Sequence, residues 1–124
     1  MSGSPLAQRR ILVVEDEALL AELLCEELAA VGALVVGPAG TVQHALEMIA
    51  AEARLDAAIL DVNLAGDSSE PVAVQLAALD VPVLLTTGYD AAALPPALVH
   101  LPRWRKPSTF EALVEKLARL LGSA

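Results

Sequence analysis

Short apolar runs alternate with longer segments of helical period along this chain. Ile11–Val14 is a continuous apolar run and predicts a buried strand. Glu17–Val31 places Leu19, Leu20, Leu23, Leu24 and Leu28 on one face at i, i+3/i+4 spacing and predicts a helix, stopped by Gly32. Ala33–Val36 predicts a second short strand, closed by Gly37-Pro38-Ala39-Gly40. Thr41 then suits the N-cap of a helix running to about Ala53, with Val42, Ala45, Leu46 and Ile49 inward. Ala57–Leu60 predicts the third strand, and Val62 to Ser69 a polar loop.

Ser69-Glu70-Pro71 has the residues of a helix start, Ser69 as N-cap and Pro71 in the first turn, and that helix reaches about Leu79. Val81–Thr86 predicts the fourth strand and Val99–Trp104 a fifth, placed at an edge by Pro102. Ser108 caps a last helix, Thr109–Leu121, whose stripe of Phe110, Leu113, Val114, Leu117 and Leu120 faces the core. The rhythm fails once. Leu94-Pro95-Pro96 makes a full helix over Tyr89–His100 untenable, because each interior proline costs about 3 kcal/mol, so a short turn or ordered loop is expected there. Five strands alternating with helices through right-handed crossovers specify an α/β fold, a doubly wound five-stranded parallel sheet.

Composition narrows the setting. The hydrophobic share is 56% and Trp104, Tyr89 and Phe110 are the only aromatics, so the core must be built from Leu, Val, Ile and Ala. The expected organisation is a disordered tail over residues 1–8 and one domain over 9–122. No apolar run approaches the roughly 20 residues of a membrane span, and the start lacks the apolar stretch of a signal peptide. The expectation is therefore cytoplasmic, with no membrane partner. The net charge of −8 argues against direct nucleic-acid binding, and Arg103-Trp104-Arg105-Lys106 is too short a basic cluster to reverse that. Cys25 has no second cysteine to bridge to and reads as a structural thiol. His44 lies on the polar side of its helix and His100 lacks a partner type nearby, so neither is assigned a role.

Chemistry concentrates at the strand ends. The first strand stops at Glu15-Asp16 and the third at Asp61. In an open α/β sheet the carboxyl ends of the strands form the rim where ligands bind. Three carboxylates delivered there make a negative pocket that calls for a hard, oxygen-loving cation. Singly, each residue has a plainer reading. Asp61 could be a polar strand end, Glu15-Asp16 the first-turn acids of a helix, Thr87 a turn hydroxyl and Lys106 a solvated charge. Their joint occurrence at matched strand ends favours a shared site.

The ordered set Glu15-Asp16, Asp61, Thr87 and Lys106-Pro107 resembles the receiver domain of two-component response regulators. The resemblance implies a flavodoxin-like (β/α)5 fold. It implies that Asp61 accepts a phosphoryl group, that Mg2+ is held by Glu15, Asp16, Asp61 and the backbone carbonyl of Asn63, and that Thr87 and Lys106 contact the phosphoryl group. It also implies a histidine kinase or histidine phosphotransfer protein as donor and a downstream protein partner, or a phosphate-sink role. Whether the chain oligomerises stays open. Leu85-Thr86-Thr87-Gly88-Tyr89 is similar to the Phe-Ala-Thr-Gly-Gly-Tyr motif of single-domain receivers associated with HWE-class histidine kinases, although Leu85 and Thr86 replace Phe and Ala and one glycine is absent. Arg103 stands where receivers often carry an aromatic switch residue, which leaves Tyr89 as the candidate reporter of conformation. The interval from Thr87 to Lys106 is a few residues short for the family, which agrees with a fourth helix shortened or replaced by a loop.

Two other functions compete with a non-enzymatic phosphoacceptor switch. A small aspartyl-phosphate phosphatase would carry a second acid two residues after the nucleophile, where this chain has Asn63, which cannot serve as general acid or base. A receiver-like module that only binds protein partners, without phosphorylation, would tolerate loss of the acids and the lysine.

Overall fold

The computed structural model describes residues 4–87, 94–105 and 109–122. In chain order the elements are β1 (Arg10–Val14), α1 (Ala18–Ala30), β2 (Leu34–Ala39), α2 (Val42–Ala51), β3 (Ala57–Asp61), β4 (Asn63–Leu64), β5 (Asp67–Ser68), α3 (Glu70–Ala78), β6 (Val83–Thr87), β7 (Arg103–Arg105) and α4 (Phe110–Leu120). Five of the strands form one parallel sheet in the order β2-β1-β3-β6-β7. The order reverses at β1 and β3, and the acids sit at the carboxyl ends of those two strands. That is the topological switch point at which doubly wound sheets place their ligands.

Strand alternation divides the core into two layers. Leu12, Val14, Ala58, Leu60, Val83 and Leu85 pack with Ala45 and Ile49 of α2 and Val72 and Leu76 of α3. Ile11, Val13, Ala57, Ile59, Leu84 and Trp104 pack on the other face with Leu24 and Leu28 of α1 and Leu113 and Leu117 of α4. Each fully buried Leu or Ile contributes about 1.5–3 kcal/mol of apolar transfer, so both layers hold the sheet firmly beneath its polar rim.

Several sequence expectations need correction. On α1, Leu24 and Leu28 are buried, but Leu19 and Leu23 are 66% and 38% exposed. This helix is apolar on more than one side, and the sheet covers only one stripe of it. The second strand does not close at Gly37 but continues through Pro38 to Ala39, with a bulge that sets two β2 residues against Val13. Gly37 makes the bulge possible, since at φ 111° a Cβ there would lie 2.8 Å from the carbonyl oxygen of Val13.

The fifth strand is only Arg103–Arg105, because the amides of Leu98 and Leu101 turn back to the Pro95 and Leu98 carbonyls before it. At its start the Pro102 carbonyl accepts from Leu85.N. Thr109 caps α4 by accepting from Ala112.N, whereas Ser108 lies outside the described residues. Residues 4–8 are not a disordered tail: Leu6 is fully buried and the Gln8 amide donates to the Gly32 carbonyl. Among the described residues there are four helices, and Leu94–Leu101 runs as turns anchored by the fully buried Leu98. That agrees with a fourth helix lost to its prolines, while positions 89–93 lie outside the described residues.

Candidate functional site at the strand ends

Val14 and Leu60 are register partners on β1 and β3, so the residues that follow them, Glu15 and Asp61, emerge side by side. Carboxylate oxygens of Glu15, Asp16 and Asp61 lie within 4.8 Å of one another. Glu15 is almost fully buried, Asp61 half-buried and Asp16 exposed. Three like charges so close, one of them out of water, repel strongly unless a cation joins them. The donor set consists only of hard oxygens, the chemistry that suits Mg2+ or Ca2+ rather than a softer metal.

Backbone amides orient two of the acids. Glu15 accepts from the Glu17 amide at 3.1 Å and Asp16 accepts from the Ala65 amide at 2.8 Å. The second contact comes from the stretch Val62 to Ser69, where the sequence predicts a polar loop. Asn63–Leu64 and Asp67–Ser68 pair antiparallel as a small hairpin around Ala65-Gly66, both with positive φ (52° and 91°). Two positive φ values in a two-residue turn are the type I′ pattern that matches strand twist. Alanine occupies that region at a cost of about 1–2 kcal/mol, and its amide is turned onto Asp16. Gly66 was the only local signal, and alanine's poor fit to such a turn concealed the rest.

The other expected site residues divide. Asn63 is exposed in the first strand of that hairpin, directly after the β3 end. Ser69 occupies the N-cap position of α3, yet its hydroxyl makes no capping bond and donates instead to the Val62 carbonyl at 2.9 Å. Thr87 is buried at the last position of β6. Alternation along β6 puts its Cβ on the α2/α3 face with Leu85, at the carboxyl end of the strand. Lys106 and Tyr89 lie outside the described residues.

Beside the acids a groove of about 450 Å³ opens, lined by Glu15, Asp16, Cys25, Glu26 and Pro38 among others. Burial pushes the Cys25 thiol pKa up, so the cysteine in its wall is a neutral, sluggish thiol rather than a nucleophile. At the opposite end of the sheet Asp56 accepts from the Arg10 amide at 2.8 Å and pairs with Arg9 and Arg54, while Arg10 pairs with Glu52. That cluster ties the strand starts together, away from the acids. No described helix is long and apolar enough to cross a membrane.

Solved structures of the same shape give this arrangement a context. SdrG from Sphingomonas melonis Fr1 is 40% identical, with 96% of this chain and 99% of that one covered and a TM-score of 0.80. The response regulator protein TrrA from Thermotoga maritima, solved in complex with Mg2+ and BeF, is 30% identical over 91% of this chain and 99% of its own, with a TM-score of 0.79. The receiver domain of the PhyR response regulator from Erythrobacter litoralis shares the fold at 22% identity, 95% and 93% coverage and a TM-score of 0.78. Neither a family model nor a curated relative matches the sequence.

Proposed function

The chain belongs to the response-regulator receiver family, and from that premise we propose that it is a phosphoacceptor switch whose acceptor is Asp61. The observation that carries this reading is the cluster of Glu15, Asp16 and Asp61 oxygens within 4.8 Å at the topological switch point. A Mg2+ ion bound there would neutralise the acids and offset the charge on the transferring phosphoryl oxygens. Glu15, Asp16, Asp61 and the carbonyl of Asn63 are the residues that would hold it. The Mg2+–BeF complex of TrrA supports the same use of the site in a relative.

The donor is a histidine kinase or a histidine phosphotransfer protein. One Asp61 carboxylate oxygen attacks phosphorus in line, and the P–N bond of the donor phosphohistidine breaks as the new O–P bond forms. The electron pair leaves with the imidazole nitrogen, which then takes a proton, and Asp61 is left as an acyl phosphate. Thr87 and Lys106 contact the new phosphoryl oxygens, one as a hydroxyl donor and the other as a cation. Tyr89 and the turns at Leu94–Leu101 then convey the change to a downstream protein partner, within a cytoplasmic pathway and without direct nucleic-acid contact. The protein is a switch, with self-dephosphorylation as its only turnover.

Incubation with acetyl phosphate or a cognate kinase plus Mg2+ should label the wild type and leave Asp61→Asn unlabelled. Equal labelling of the two proteins would remove the basis of this assignment.

A further inference from the structure

Thr86 is fully buried, and its hydroxyl is the one buried side-chain polar atom among the described residues without a hydrogen-bond partner. Its place in the sheet gives that observation a direction. Asp61 and Thr86 are register partners on β3 and β6, and Thr86 and Trp104 are partners on β6 and β7. Two residues earlier, Ile59 and Leu84 are partners too, and both pack in the α1/α4 core layer with Trp104. Side chains two apart on a strand share a face, so Asp61, Thr86 and Trp104 form one row across three strands on that side. Thr87 stands on the opposite face. Of the two threonines, Thr86 is therefore the one that shares Asp61's face.

An unsatisfied buried hydroxyl costs about 1–3 kcal/mol, and a valine would fill the same volume without that cost. A hydroxyl retained in such a place calls for a state in which it has a partner. We propose that Thr86 is a positioning residue for the phosphorylated state, its hydroxyl turning to donate a hydrogen bond to the phosphoryl-bearing side chain of Asp61. This rests on the phosphoacceptor reading above and adds to it a second hydroxyl, one strand away in the same row. Rotation about χ1 between staggered wells is the only movement it needs. In the resting protein the hydroxyl waits without a partner, and in the phosphorylated protein it meets an anionic acceptor, where hydrogen bonds are strongest.

The test compares wild type, Thr86→Val, Thr86→Ser and Asp61→Asn. Trp104 is the only tryptophan and the register neighbour of Thr86, so its fluorescence serves as the titration signal for beryllofluoride with Mg2+. Thr86→Val should melt higher than wild type without metal, bind beryllofluoride about tenfold more weakly and lose its phosphoryl group faster. Thr86→Ser keeps the hydroxyl and should restore most of the affinity. If valine fits poorly, Thr86→Ala removes the hydroxyl with a smaller side chain and is read the same way. Should Thr86→Val gain stability yet bind beryllofluoride like wild type, Thr86 is only a packing residue and the proposal fails. Asp61→Asn separates the two ideas: labelling that survives in that variant overturns the acceptor assignment itself, whatever Thr86 does.

Discussion

Asp16→Asn tests the acidic cluster without disturbing its scaffold. The asparagine Oδ1 can still accept from the Ala65 amide, so the hairpin contact survives while the charge disappears. At the 4.8 Å limit of the cluster, two unit charges repel by about 0.9 kcal/mol at the dielectric constant of water and about 3.5 kcal/mol at an effective value of 20. Asp16 is exposed, so the lower figure governs, and it applies against both Glu15 and Asp61. The metal-free variant should therefore be more stable than wild type by about 1–2 kcal/mol. For a domain of this size that raises the thermal midpoint by roughly 3–8 °C.

With Mg2+ that advantage should largely disappear. At a concentration one hundred times Kd, binding stabilises the native state by about 2.7 kcal/mol, or roughly 10 °C in the midpoint. Losing one of three carboxylates should weaken binding at least tenfold, which removes about 1.4 kcal/mol of that gain. Thermal melts by circular dichroism, with and without Mg2+ and at matched ionic strength in KCl, read both effects. A variant that is no more stable than wild type without metal, and that gains as much as wild type from Mg2+, would refute the reasoning. An advantage present without metal and largely gone with Mg2+ is the distinctive result, since ordinary destabilisation shifts both melts in one direction.

Four other outcomes follow from individual contacts. Leu98→Ala empties a fully buried position that anchors the turns before β7, and urea titration should show a loss of about 2–5 kcal/mol; a loss below ~1 kcal/mol would mean that the segment does not depend on that anchor. Gly37→Ala forces a Cβ to within 2.8 Å of the Val13 carbonyl at a φ that suits only glycine, and should cost on the order of 2 kcal/mol or more in the same titration. Ala65→Gly should move the other way, raising stability by up to about 1 kcal/mol because it relieves a positive φ while keeping the amide that serves Asp16. The folded state holds the Cys25 thiol protonated beyond its ordinary value of 9.0, so that contribution is complete below this pH and lost as pH rises through the higher folded value. Cys25→Ala should accordingly reduce the fall in stability above pH 9, measured as the midpoint difference between variant and wild type.

Strand alternation and helix spacing made the sheet legible because burial acts on each strand in the same way. Ile11–Val14 and Ala57–Leu60 had no alternative but the interior, and their acids followed at the rim. Legibility failed where one contact with a distant segment decides the outcome. Leu19 and Leu23 repeat at i, i+4 as Leu24 and Leu28 do, but they sit further round α1, outside the stripe that is buried. The β2 bulge depends on the approach of Gly37 to Val13 across the sheet, and local spacing carries no sign of it.

The acidic site shows the same division at finer scale. Carboxylates at strand ends are visible in the sequence, but what aims them is not. Asp16 is held by the amide of Ala65, 49 positions later, and that amide is available only because an alanine accepts a conformation it disfavours. A helix or an extended loop after Asp61 would turn the amide elsewhere. The short hairpin therefore couples the position of a candidate metal ligand on β1 to the segment immediately beyond the candidate acceptor on β3. The hydrogen bond from the Ala65 amide links the backbone at Asn63–Ser68 to Asp16. Phosphorylation at Asp61 acts two residues from the start of that hairpin, so the first structural consequence should appear at Ala65 and Asp16 before it reaches the turns at Leu94–Leu101.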